Sequence, residues 1–166
     1  NEWGLKGKNL PVKVFVPFGK ADEYKKKEIP FDETFALKAS ELDAEDWITL
    51  FNLEMTSLEG VLISRVITEL KEREHDFIIS NIEHELSHDH KSSEESRQIV
   101  SALFSAADSW GVFAKTEKGT EISDLITPGN TSVLDVSIYS SIGAFNVRAL
   151  VISLISRKLF RTRMDA

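Results

Sequence analysis

Apolar and polar positions change period along the chain, and the changes mark its elements. Val12-Lys13-Val14-Phe15-Val16 alternates, with three β-branched valines, and predicts a strand closed by Pro17 and Gly19. Residues 20–33 mix charges without a period and read as a solvated loop; residues 34–38 read as a short edge strand. From Asp43 the period becomes helical. Asp43 is placed to cap a first helix with Trp47, Leu50 and Phe51 on one side and Glu54 at its margin. Thr56-Ser57-Leu58-Glu59 is a capping-box pattern ahead of the stripe Leu62, Ile63, Val66, Ile67 and Leu70. Asp76 is placed to start a third helix carrying Ile78, Ile79, Ile82 and Leu86. Ser92-Ser93-Glu94-Glu95 forms a second box before Ile99, Val100, Leu103, Phe104 and Ala107. Four helices with short links, mostly up and down, predict a small bundle, because each has one face to bury.

Gly111 ends that pattern. Val112-Phe113-Ala114 reads as a short strand, residues 120–126 as a short capped helix stopped by Pro128-Gly129, and residues 132–137 as a buried strand. After the small residues Ser140-Ser141-Ile142-Gly143 comes a long helix with Val147, Leu150, Val151, Leu154, Ile155, Leu159 and Phe160 on one broad face. Strand, crossover, strand, then helix is the grammar of a parallel α/β sheet. The expected fold is therefore α/β, with a partial parallel sheet begun in residues 1–40. A helical bundle of about four helices is inserted at 41–110, and residues 111–166 return to the α/β core.

A chain of 166 residues has room for one domain with a sizeable insertion. The lack of cysteine excludes disulfides, Cys-ligated zinc and a cysteine nucleophile, and suits a reducing compartment. No apolar run approaches the ~18 residues needed to span a membrane and no signal-peptide pattern is present, so a cytoplasmic protein without a membrane partner is expected. The net charge of -7 argues against nonspecific nucleic-acid binding by the whole chain. Within residues 146–166, however, Arg148, Arg157, Lys158, Arg161 and Arg163 face Asp165 alone, which leaves a basic helical end as a candidate contact surface. The start at Asn1 without Met and the stop at Ala166 directly after a helix read as cut ends of a longer chain.

Three segments carry a likeness to known proteins. Asn1-Glu2-Trp3-Gly4 is followed by the strand Val12-Lys13-Val14-Phe15-Val16-Pro17. Leu125-Ile126-Thr127-Pro128-Gly129-Asn130-Thr131-Ser132-Val133-Leu134-Asp135-Val136-Ser137 has the form L-x-x-P-G-x-x-(S/T)-V-h-D-h-S, with h apolar. Asn146-Val147-Arg148-Ala149-Leu150-Val151 leads on to Arg157-Lys158-Leu159-Phe160. In order and spacing these resemble the archaeal-type ATPases related to HerA, in the HerA/FtsK branch of the RecA-like P-loop motors. Asn1 stands where that family usually has Gly, so the first match rests on Glu2 and Trp3. The resemblance implies a RecA-like sheet and hydrolysis of ATP with Mg²⁺ at sites shared between subunits of a homo-oligomer, a hexamer. It also implies DNA as the substrate of a translocase or helicase, with a nuclease as a candidate partner.

A phosphate-cradling loop needs Gly-x-x-x-x-Gly-Lys-Ser/Thr, whose backbone N–H groups and Lys meet the phosphate charge. The pairs Gly7-Lys8 and Gly19-Lys20 lack both the upstream Gly and the following hydroxyl residue, and no apolar strand ends in Asp-Glu. The resemblance thus places the phosphate loop before Asn1 and the acidic pair beyond Ala166, with no complete nucleotide site in this chain.

The candidate catalytic residues are Glu2, Asp135, Arg148 and Arg157. Glu2 would lie near the nucleotide by resemblance. Asp135 ends an apolar strand, where α/β sheets place functional groups and where a carboxylate also satisfies nearby backbone N–H groups. Arg148 and Arg157, with Arg161 and Arg163, are candidates to reach a neighbouring subunit's nucleotide, and equally for ordinary solvation or ion pairing. His84-Glu85-Leu86-Ser87-His88 matches the zinc-protease pattern, in which two His share a helix face and Glu is the base, with His90 or a carboxylate as third ligand. The flanking Glu83 and Asp89 and the turn at His90-Lys91-Ser92-Ser93 read instead as a solvated helix end, so no metal is expected. Trp47 and Trp110 read as bundle core. The alternatives to the motor reading are a non-catalytic helical interaction module, with the bundle as its binding face, and a zinc metallopeptidase.

Overall fold

The alternating segment after Pro11 forms the central strand β1 (Val12–Pro17) in a computed structural model that describes residues 10–141 and 147–164. β2 (Glu33–Phe35) and β3 (Thr131–Leu134) flank β1, both parallel to it, in the order β2-β1-β3. Phe15 sits opposite Glu33 on one side and Leu134 on the other. Side chains alternate along a strand, so Phe15, Pro17, Phe35 and Leu134 share one face. Phe15 and Phe35 are buried there; on the opposite face Val12 and Val133 remain 47% and 42% exposed.

Parallel strands need crossovers, and the two here differ greatly in size. From β1 to β2 the chain passes through a 3-10 turn and the short helix α1 (Ala21–Lys26). That helix corrects the solvated loop expected at residues 20–33: its Tyr24 is fully buried among otherwise charged neighbours. From β2 to β3 the chain builds α2 (Ala44–Leu50), α3 (Leu58–Arg73), α4 (Ile79–His88), α5 (Glu94–Ser109) and α6 (Ile122–Leu125). α7 (Val147–Met164) follows β3. α3 packs on α2, α4 and α5, and α4 packs on α5. The expected stripe on α3 is buried, and so are Ile79, Ile82 and Leu86 on α4 and Val100, Phe104 and Ala107 on α5; Ile78, at the α4 cap, and Leu103 are half-buried, and Ile99 and Glu54 stay exposed.

Several starts shift from their expected places. α3 is capped by Ser57, whose Oγ accepts from Gly60 N at 3.0 Å, rather than by Thr56. α5 is capped by Ser93, because Arg65 occupies the Ser92 hydroxyl at 2.7 Å. Asp76 does not start α4. It accepts from Ser40 Oγ and pairs with Lys38, while Asn81 Oδ1 caps the Ile78 N–H at 2.9 Å. Asp43 does cap α2, and Asp46 closes the box by accepting from Asp43 N at 2.8 Å. Residues 112–114 give a single parallel bridge, Phe113 to Leu37, instead of a strand. The strand expected to be buried at 132–137 is β3, a half-exposed edge among the described residues.

One continuous core runs from the sheet into the bundle. Trp47 is its hinge point: its ring lies 4.9 Å from Phe104, 5.0 Å from Phe113 and 5.7 Å from Phe51. No helix among the described residues is long and apolar enough to cross a membrane.

Candidate functional site

The carboxyl ends of β1 and β3 come first, because ligands of open α/β sheets bind beyond those ends. Asp135 follows β3 and extends the ladder, its N–H donating to Phe15 O at 2.8 Å. Its Oδ1 accepts from Ser137 N at 2.9 Å, which turns the chain into the 3-10 helix Ser137–Ser141. The buried Tyr24 hydroxyl reaches Asp135 O at 3.4 Å. Partial burial pushes the Asp135 carboxyl up, but hydrogen bonds from Ser137 and Tyr24 outweigh it and hold the carboxyl below its ordinary value. Burial raises the Tyr24 phenol. Asp135 thus satisfies local backbone at a strand end, and its carboxylate stays ionised at neutral pH.

Arg157 reaches across the molecule. Its guanidinium donates to both Asp46 oxygens, Nη2 to Oδ1 at 2.7 Å and Nη1 to Oδ2 at 3.0 Å, and lies 3.6 Å from Asp43. One turn of the chain thus holds α7 to the start of α2. The neighbouring Lys158 donates to Glu41 Oε1 at 2.7 Å and to Thr120 O at 3.0 Å. Lys38, largely buried, pairs with Glu121 at 3.0 Å and Asp76 at 3.6 Å. Arg157, Lys158, Lys38, Glu41, Asp76 and Glu121 line a polar cleft of about 440 Å³ between α3, α6 and α7, which Lys71, His75 and Arg161 complete. Cations and carboxylates alternate there, so the cleft is a bolt between bundle and core rather than a bare anion site. Burial raises the Asp46 carboxyl, yet the Arg157 hydrogen bonds and the Asp43 N–H bring it below its usual value.

An arginine that acts on a neighbour's phosphate must be free to extend, and Arg157 is committed to α2. Arg148, Arg161 and Arg163 are exposed on α7. Glu2, with Trp3, lies outside the described residues. His84 and His88 are brought together at the end of α4, with ring centroids 4.3 Å apart. Glu85 is paired with Arg73 at 2.7 Å, and His90 is exposed beyond the helix. Among the described residues no group of three His, Asp or Glu is arranged to hold a metal ion.

Of the candidates, then, only the two histidines meet; Asp135 and Arg157 bond to other elements. Tyr24, Lys38, Glu41 and Asp46 were not singled out by their sequence context. Asp46 stands three residues after a cap and had a visible local role, but nothing near it announces a partner 111 positions away. Comparison with protein-family models, curated proteins and solved structures finds no match for this chain.

Proposed function

We propose that this chain is the central part of a HerA-type motor ATPase: the stretch of α/β core that links the phosphate-binding loop to the acidic strand, with a helical bundle inserted. The observation that carries the reading is β3 lying parallel beside β1, with its Pro-Gly turn before it, Asp135 at its carboxyl end and a long helix after it. The resemblance expects a strand so flanked, and the parallel pairing of β3 with β1 supports that reading. The rest of the geometry agrees with a partial core. Within the described residues β3 has an open edge, and α7 leaves Ile152, Phe160 and Met164 62%, 71% and 75% exposed. A parallel sheet ordinarily has both faces covered.

In this reading ATP and Mg²⁺ belong to the larger protein, as do DNA, a hexameric ring and a partner nuclease. No step of hydrolysis is assigned to residues of this chain, whose sequence carries neither a complete phosphate loop nor a strand ending in Asp-Glu. Their task is to fix the sheet and to bolt the bundle to α7. The test is nucleotide binding by a polypeptide that carries the encoded residues on both sides, with this chain as the control. Binding by the longer form alone supports the proposal, and binding by neither overturns it.

A non-catalytic interaction module is the second reading, favoured by Leu58 and Val61, exposed one turn apart on α3. A longer polypeptide without any phosphate loop would favour it over the motor.

A further inference from the structure

The histidine pair at the end of α4 plays no part in the sheet, the core or the ion-pair cleft. Both rings are exposed and tilted 44° to one another at 4.3 Å between centroids. Spacing alone would bring them close, since residues four apart share a helix face. The hydrogen bonding adds a second, independent observation. His88 Nδ1 lies 2.9 Å from the carbonyl oxygen of His84. A carbonyl only accepts, so in the neutral ring Nδ1 carries the proton and the lone pair belongs to Nε2. The Ser87 hydroxyl donates to the same carbonyl at 2.6 Å, and its oxygen stands 3.0 Å from Nδ1 as a second acceptor.

One nitrogen held by a backbone carbonyl and the other left basic is the arrangement that metal-binding imidazoles use. The place also suits a cation. His88 is in the last turn of α4, where the helix dipole is negative, and Glu83 and Glu85 lie on the same helix.

We propose that His84 and His88 form a two-imidazole site for a divalent transition-metal ion, with zinc as its representative. His88 Nε2 is one donor and a ring nitrogen of His84 the other. Two zinc–nitrogen bonds of about 2.0–2.1 Å in a tetrahedral arrangement put the nitrogens roughly 3.3 Å apart. The centroids are 4.3 Å apart, and turning the exposed His84 ring brings its nitrogen to that separation while His88 Nδ1–H stays on its carbonyl. The described residues supply no third ligand, so the remaining positions take water. Imidazole selects zinc, nickel or copper over magnesium or calcium. Glu85, held by Arg73, is not poised as a base, and the site binds metal without the peptidase chemistry that its sequence pattern suggests.

The experiment is titration of the whole chain with Zn²⁺, followed by calorimetry and by nitrogen NMR of the imidazoles. One zinc per chain is expected, without competition from Mg²⁺. His84→Ala and His88→Ala should each weaken binding at least about tenfold, the scale on which metal sites respond even to outer-shell changes, while His90→Ala stays within about twofold. Circular dichroism of the variants should match the parent, because both side chains are exposed. Zinc should shift His88 Nε2 and leave its Nδ1–H in place. Equal affinity in the double variant, loss of binding in His90→Ala, or coordination through His88 Nδ1 would each overturn the proposal.

Discussion

Gly19 and Gly111 meet backbone to backbone. The Gly19 N–H donates to Gly111 O at 2.9 Å, and a Cβ built on Gly19 would lie 2.5 Å from the Gly111 Cα. Gly111 also holds φ at +72°, a conformation that L side chains adopt at a cost. The contact fastens the turn after β1 to the end of the bundle. Gly111→Ala should destabilise the protein by roughly 1–3 kcal/mol, and Gly19→Ala by a similar amount through the clash. Urea unfolding of the two variants measures both; unchanged midpoints would contradict the close approach.

The Arg157–Asp46 pair joins helices that are distant in sequence, and both side chains are partly buried. A double-mutant cycle with Arg157→Met and Asp46→Asn should yield a coupling of about 0.5–2 kcal/mol, above that of an ordinary surface pair. Asp46→Ala alone should cost more than Arg157→Met, since it also removes the acceptor that closes the α2 capping box. Additive effects would remove the bolt from the account.

Acid should weaken the fold in a defined window. Burial raises the Asp89 carboxyl, but Ser92 and the two-pronged contact with Arg65 outweigh it and hold the carboxyl low; Asp46 and Asp135 are depressed as well. A carboxyl depressed in the folded state contributes stability that is complete above its unfolded value of about 3.9 and is lost as pH falls through the folded value. The urea midpoint should therefore be level from neutral pH to about pH 5 and decline below it. Asp89→Asn should lower the neutral plateau and flatten the acid slope. A midpoint indifferent to acid would contradict these assignments.

Trp47 tests whether bundle and sheet are one cooperative unit. Its ring touches Phe104 in the bundle and Phe113 beside the sheet, and it is wholly buried. Trp47→Ala should cost about 3–5 kcal/mol, as large core truncations do. Unfolding should remain a single transition by fluorescence and by circular dichroism. Two separated transitions would show that the insertion folds on its own.

The sequence disclosed those parts whose cause is local. Alternation revealed β1, helical stripes revealed α3, α4 and α5, and Asp43 announced α2, because each signal lies within a few residues of its effect. α1 escaped notice because a six-residue helix with one buried side chain, Tyr24, has no period to detect. Two caps slipped by one residue: adjacent hydroxyls compete, and tertiary contacts such as Arg65 with Ser92 decide between them. β3 was expected to be buried from its apolar letters, and its position at the edge depends on strand order, which no local pattern encodes. At the candidate sites the spacing of His84 and His88 was legible. The commitment of Arg157 to Asp46 was not, since it joins positions that only the fold brings together.

The motor proposal is tested most directly by ATP turnover. A polypeptide extended through the encoded residues on both sides should hydrolyse ATP in the presence of Mg²⁺ and lose that activity when its phosphate-loop lysine is replaced. Residues 1–166 alone should show no turnover. An extended, folded polypeptide that leaves ATP untouched would contradict the account.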